Sequence, residues 1–243
     1  MKAVVTTGGR VDGEYARIAG TPVKALALVR GVSMLDRILD ALRGAGASRI
    51  AVVGGEAVRT ACANHVDRFV DEGTTGEQNV ARALHAWDDD EPLLYATSDL
   101  PYVTASAVGD FVRRVPSGAI AMPVVSHADF TSRFVAAPPA GIVLGGERIV
   151  NGGIFLLPPR SRERIAGVAA SFFRARKAPW RMASLIGAIP LLRLATGRLS
   201  VAAIEREALR IVGVPCVAIR GCASELAFDA DTAEEYRYAC ENA

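Results

Sequence analysis

A chain of 243 residues, 51% hydrophobic and 22% charged, has the composition of a globular protein with a sizeable core and not of a disordered one. Its formal net charge of +2 argues against a global attraction to nucleic acid or to an anionic membrane, so any anion must be held by a local site. Four scattered cysteines with no Cys-x-x-Cys pair, and no secretory leader, argue against disulfide and zinc frameworks and predict a reducing, cytoplasmic setting.

Residues 2–6 form a short apolar strand that ends at Gly8-Gly9, and a polar loop, "RVDGEYARIAGTPVK", follows. Ser33 then opens an amphipathic helix, with Met34, Leu35, Ile38, Leu39 and Leu42 at helical spacing and Gly44 in the C-cap place. "RIAVVGG" is a second strand ended by two glycines. A helical stretch, a short strand in "RFVDEG" and an amphipathic helix in "GEQNVARALHAW" come next, the last with Val80, Leu84 and Trp87 on one side. "LLYAT" reads as a buried strand running into Asp99 and Pro101. Thr104 caps a helix over "TASAVGDFVRRV", and "GAIAMPVV" is a further strand.

This alternation predicts a mainly parallel sheet covered by helices, with ligands at the carboxyl ends of the strands. The second half is less regular. "SRFVAA" and "GIVLGG" read as strands around a Pro-Pro-Ala-Gly turn, and "IVNGGIFLLPP" as a strand entered through Asn151-Gly152-Gly153. From Ser161 to Gly213 the chain reads as mostly helical. Its longest apolar run is broken by Gly187, Pro190 and Arg193, which argues against a membrane span. "CVAIRG" is a last strand, "LAFDADTAEEY" a loop and the tail a short helix. With no repeat and no low-complexity linker, the expectation is one domain over 1–243 with an irregular C-terminal half.

Three features could carry chemistry. Gly8-Gly9 after the first strand lets backbone amides approach phosphate oxygens, yet the spacing matches neither the dinucleotide nor the P-loop fingerprint. Lys24, on a loop stiffened by Pro22, suits a triphosphate neutraliser, with a solvated surface lysine as the alternative. Asp99 stands where the ligand crevice of such a sheet lies, and Asp229 and Asp231 follow the last strand. Turn and helix-cap roles are the alternatives for these carboxylates. His65, His85 and His127 are unclustered and are assigned no role.

The order of these features is informative. "AVVTTGGR", "PVKALALVRGVSMLDRILDALRGAGASRIAVVGG", "LLYATSDLPYVT", "IVNGGIFLLPP" and "FDADTAEEY" together resemble the GT-A-like nucleotidyltransferases. Within that superfamily, which includes molybdenum-cofactor guanylyltransferase and the sugar-nucleotide pyrophosphorylases, the chain is most similar to MobA-like NTP transferases. The resemblance implies a Rossmann-like, three-layer α/β/α fold, an NTP as substrate, a nucleotide-binding half at 1–125 and an acceptor-binding half at 126–243. Gly8 and Gly9 would hold its phosphates, and Lys24 would neutralise them. Asp99 and Asp231 would bind Mg2+, with Asp229 in reserve if Asp231 caps the last helix. Asn151, Gly152 and Gly153 would shape the acceptor pocket, and Lys177 would meet an acceptor phosphate.

The chain also departs from that family. The family runs from its glycines through an arginine to the lysine over a short loop; here the loop is longer, so that Arg10 and Arg17 compete for the arginine's place. Gln78 and Asn79 would lie near the nucleotide, with a helix-start role as the alternative for Asn79. The expected reaction is Mg2+-dependent transfer of NMP to a phosphorylated small molecule. A GT-A glycosyltransferase and a non-catalytic nucleotide-binding regulator are the competing readings, the latter kept open by the long first loop.

Overall fold

The computed structural model describes residues 1–159, 161–175 and 187–243. Its strands are β1 (Lys2–Thr6), β2 (Leu28–Val29), β3 (Val32–Ser33), β4 (Arg49–Gly54), β5 (Arg68–Asp71), β6 (Leu93–Thr97), β7 (Ile120–Ser126), β8 (Ile142–Leu144), β9 (Glu147–Asn151), β10 (Ile154–Leu157) and β11 (Cys216–Arg220). Its α-helices are α1 (Gly13–Ala19), α2 (Met34–Gly44), α3 (Glu56–Cys62), α4 (Gly76–Leu84), α5 (Ala105–Arg114), α6 (His127–Arg133), α7 (Arg162–Ala175), α8 (Ala188–Ala195), α9 (Val201–Val212) and α10 (Ala233–Asn242).

The main sheet runs β5-β4-β1-β6-β10-β7-β9-β8, with β11 on β7. β5, β4, β1 and β6 are mutually parallel, and β11 is parallel to β7. β9 and β10 both run antiparallel to β7, and β10 also runs antiparallel to β6. The chain leaves β1 through α2 and α3 towards β5, then crosses back through α4 to β6. The order therefore reverses between β1 and β6, where open α/β sheets leave a crevice at the strand ends.

Local chemistry explains most of the elements. Ser33 Oγ accepts from Asp36 N at 3.0 Å and starts α2, whose apolar face is buried. Thr75, Thr104 and Ser200 cap α4, α5 and α9 in the same way, each bond contributing about 1 kcal/mol. Helix α2 runs through Gly44, and α5 lies against it there. A Cβ on Gly44 would sit 2.6 Å from Ala105 Cβ, and the left-handed residue beyond the helix is Gly46, at φ 92°. The C-cap is therefore Ala45, one residue beyond the expected place, and the left-handed glycine follows it.

A larger correction concerns "SRFVAA". Ser126 Oγ accepts from Asp129 N at 3.0 Å and opens α6, so Ser132 and Arg133 are helical and Phe134 lies just past the helix end. Phe130 and Phe134, four residues apart, bury their rings among Tyr102 and Phe228. The antiparallel partner of β8 is instead β9.

Three layers result. Helices α2, α3 and α5 cover one face of the sheet, and α4 and α7 cover the other over Val4, Ala51, Val53 and Leu93. Trp87 lies beyond the end of α4 but is buried, its indole donating to Ala3 O at 3.1 Å. Among the described residues, no helix is long and apolar enough to cross a membrane. All four cysteines are free thiols.

Candidate functional site

A cleft of about 490 Å3 opens at the strand ends beside the β1/β6 reversal, a size suited to a nucleotide. Its floor is Thr6, Gly8, Gly9, Tyr95, Thr97 and Asp99, and its far wall is the Glu72–Gly76 segment with Asn79. Across the floor the Thr6 and Tyr95 hydroxyls lie 3.0 Å apart.

Gly8 is small for a packing reason, since a Cβ there would meet Asn79 Nδ2 at 2.3 Å. Asn79 Oδ1 accepts from Gly73 N at 2.7 Å, so this side chain ties the far wall to the glycine loop. Thr75, not Asn79, caps the helix. Gln78 does not line the cleft; its Oε1 accepts from Thr74 N at 2.8 Å and holds the turn.

The longer first loop does not displace Lys24. Val11 N donates to Pro22 O at 3.0 Å, Arg10 bridges to Val23, and Lys24 N donates to Gly9 O at 3.2 Å. The extra residues fold out between these points as α1. Arg10 therefore stays at the cleft, paired with Glu72. Arg17 sits on the outside of α1, 74% exposed and 3.8 Å from Glu14.

Lys24 is buried, and its ammonium reaches two carboxylates: Asp99 Oδ2 at 2.8 Å and Asp231 Oδ1 in a closer contact. Burial would push the ammonium down, but Asp99 and Asp231 outweigh it and hold the Lys24 pKa above its usual value. Burial likewise works to raise Asp99. The Lys24 charge overrides that, Thr97 and the local backbone add to it, and the carboxyl lies below the usual range. Asp229 opens to solvent on one side. The surrounding protein, followed by the charges of Asp231 and Asp99, raises its carboxyl to about 6.

Thr232 caps α10 with a full capping box to Glu235, which leaves the Asp231 carboxylate free to turn towards Lys24. Lys24 and Asp231, 207 positions apart in the chain, thus meet in one cluster.

The donor set fits a hard divalent cation. Asp99 Oδ1 is buried and has no hydrogen-bond partner among the described residues, an unusual state for a carboxylate oxygen. Asp99 and Asp231 already converge on one positive charge. Among the described residues no group of three or more His, Cys, Asp or Glu forms a complete cage. A hard divalent cation can take one or two carboxylates and complete its shell with phosphate oxygens and water.

The predicted acceptor residues are placed differently from the nucleotide loop. Gly152 N donates to Pro123 O at 2.9 Å and Gly153 N to Leu226 O at 3.1 Å, while Gly153 O accepts from Thr97 N at 2.9 Å. A Cβ would lie 2.5 Å from Leu226 O at Gly152 and 2.5 Å from Thr97 Oγ1 at Gly153. The two glycines therefore let the β9–β10 strand pass close beneath Thr97. Asn151 is exposed and borders a separate apolar pocket under α9. Lys177 lies outside the described residues.

Glu72 and Tyr15 escaped the sequence reading. Glu72, directly before Gly73 at the end of β5, carried a readable signal, namely a carboxylate at a strand end. Tyr15 looked like one aromatic in a polar loop. It is buried and stacks on Tyr236 with ring centroids 4.9 Å apart.

A family model described as MobA-like NTP transferase domain matches residues 3–234. No curated protein matches the chain. A solved structure described as a hypothetical transferase from Thermus thermophilus is 28% identical at a TM-score of 0.83, with 97% of this chain and 100% of that one covered. A nucleotidyl transferase from Methanothermobacter thermautotrophicus shares the fold at 16% identity and a TM-score of 0.58, covering 99% and 95%. So does a Mycobacterium tuberculosis protein solved in complex with manganese, at 20% identity and a TM-score of 0.52, covering 100% and 98%.

Proposed function

The chain belongs to the MobA-like NTP transferase domain family, and from that premise we propose that it moves a nucleoside monophosphate from an NTP to a phosphorylated small molecule, with Mg2+ as its metal. The observation that carries this reading is the meeting of Lys24, Asp99 and Asp231 at the edge of a nucleotide-sized cleft floored by Gly8 and Gly9. The manganese in a structural relative supports a divalent ion in this fold.

In this reading Asp99 and Asp231 would hold the cation, which would supply positive charge against the triphosphate. Gly8 and Gly9 bring backbone amides against the phosphates. Lys24 leaves the two carboxylates for the phosphate oxygens and stabilises the charge that builds on departing pyrophosphate. Arg10 adds positive charge at the mouth, and Asn79 sets the far wall against the glycine loop. A phosphate acceptor attacks as an anion and needs no general base. Folding of the long loop into α1, away from the cleft, supports catalysis over a purely regulatory role.

The test is to incubate the protein with each NTP, Mg2+ and a panel of sugar phosphates and phosphorylated cofactor precursors while following pyrophosphate. Metal-dependent release with one NTP and one acceptor is expected, and that NTP should raise the melting temperature. Stabilisation by nucleotide-sugars but by no NTP would sink the proposal in favour of a glycosyltransferase. NTP binding without turnover over the whole panel would favour a regulator.

A second expectation concerns the glycine loop. Gly8→Ala puts a methyl group where Asn79 Nδ2 now lies, and overpacking of this kind costs about 1–3 kcal/mol. NTP affinity should fall about tenfold, as measured by calorimetric titration. Adding Asn79→Ala should restore most of it, because the clash and its relief belong to one pair. A double variant as weak as the single would mean that Gly8 serves the backbone and not this contact.

A further inference from the structure

We infer that Tyr15, carried by the helix inside the long first loop, is a positioning residue for the metal-holding carboxylates and acts through Ala230. The inference rests on Asp99 and Asp231 being those carboxylates.

Ala230 lies between Asp229 and Asp231 and is fully buried. Its N–H donates to Asp99 O at 3.0 Å, and its carbonyl accepts from the Tyr15 hydroxyl at 2.8 Å. The first bond ties the segment to the strand end that bears Asp99. The second fixes the peptide leading into Asp231. On the other side of Asp231, Thr232 is locked by the capping box.

Asp231 needs this support because its side chain is 62% exposed and is not held by packing. Asp99 is held by its strand end and by burial. The separation of the two carboxylates is therefore set by the Ala230 backbone, and Tyr15 is one of its two anchors. A cation bound by only two protein carboxylates is sensitive to that separation, since groups that orient metal ligands tune affinity strongly. The longer loop, a departure from the family pattern at sequence level, thereby acquires a role at the site. It reaches round to the C-terminal segment and braces it.

Tyr236 supplies a matched control. Its ring stacks on Tyr15, and its hydroxyl donates to Leu28 O at 2.7 Å, so it makes the same kind of bond to a carbonyl other than that of Ala230. The experiment measures Mn2+ binding by the free-ion electron paramagnetic resonance signal, on the full chain, with and without NTP. Circular dichroism and thermal melting report folding. Tyr15→Phe should weaken Mn2+ binding about tenfold, whereas Tyr236→Phe should leave it within about twofold while losing comparable thermal stability. NTP affinity without metal should be unchanged in both.

Mn2+ binding by Tyr15→Phe equal to that of the parent would overturn the inference. Equal weakening by both variants would overturn it too, by marking a general loosening. A parent chain that turns over NTP while Tyr15→Phe binds Mn2+ normally would remove the positioning role alone. A parent that binds no Mn2+, even with NTP, would remove the metal reading and this inference with it.

Discussion

Asp99→Asn is expected to lower metal-dependent pyrophosphate release by about 10³-fold while the chain still folds. Asparagine keeps the shape of the side chain and one acceptor oxygen, but it deletes the negative charge that faces Lys24 at 2.8 Å. With Asp231 the one carboxylate left on the ammonium, the cluster loses half its capacity to attract a divalent cation. The loss should appear in kcat and in the metal concentration needed for half-maximal rate, with little change in metal-free NTP affinity. Breaking a buried ion pair by removing one partner typically costs about 3–5 kcal/mol. Here the cost should be smaller, because Asp231 remains on Lys24 and a desolvated charge disappears with Asp99. Urea unfolding would read that difference. Parent-like turnover in Asp99→Asn would exclude Asp99 as the metal-holding carboxylate.

The extent to which such residues could be read from the chain depends on how local their reasons are. Ser33, Thr104 and the apolar stripe of α2 explain themselves within one helical turn or two, and the structure follows them. "SRFVAA" was misread because its apolar residues look like a strand, while the cap that makes the preceding residues helical is Ser126, outside the segment. Gly44 was misplaced for the converse reason. The glycine at 44 answers to the close approach of Ala105, on another element, and not to the helix end.

The site divides along the same line. Gly8, Gly9 and Asp99 stand at the ends of parallel strands, and an alternating β/α pattern already sends such positions to one rim of the sheet. The choice between Arg10 and Arg17 could not be made that way. It turns on a backbone bridge from Arg10 to Val23 that pinches the loop shut and sends Arg17 outward on α1. Gly152 and Gly153 were legible as unusual, yet their reason is the close passage of β9–β10 past Leu226 and Thr97, a contact of distant segments. Nothing in the sequence near Ala230 announces that its carbonyl is held by Tyr15, 215 positions away.

Lys24→Met should reverse the pH dependence that this cluster gives to stability. In the parent, the Asp99 carboxyl lies below its unfolded value, so its contribution is present above the ordinary carboxylate range, near about pH 4, and is lost as pH falls through the folded value. Lys24 is raised above its unfolded value, so its contribution is complete below about pH 10.5 and is lost as pH rises through the folded value. Between those limits the pair titrates in neither state and adds no slope. Methionine keeps the length and apolar stem of Lys24 but removes the charge, and burial then becomes the dominant influence on Asp99. Its pKa moves above the unfolded value, so the native state binds the proton first and stability increases as pH falls towards about 4. Urea unfolding between pH 4.5 and 8 should therefore show the variant gaining on the parent at the acidic end. Millimolar Mg2+ or Mn2+ should stabilise the variant more than the parent, since the two carboxylates no longer have an internal cation to displace. Turnover should nevertheless fall by about 10²–10³-fold, because a cation between the carboxylates cannot replace an ammonium on the departing pyrophosphate. Parallel pH profiles for variant and parent would show that the Lys24–Asp99 pair does not govern the charge state of this cleft.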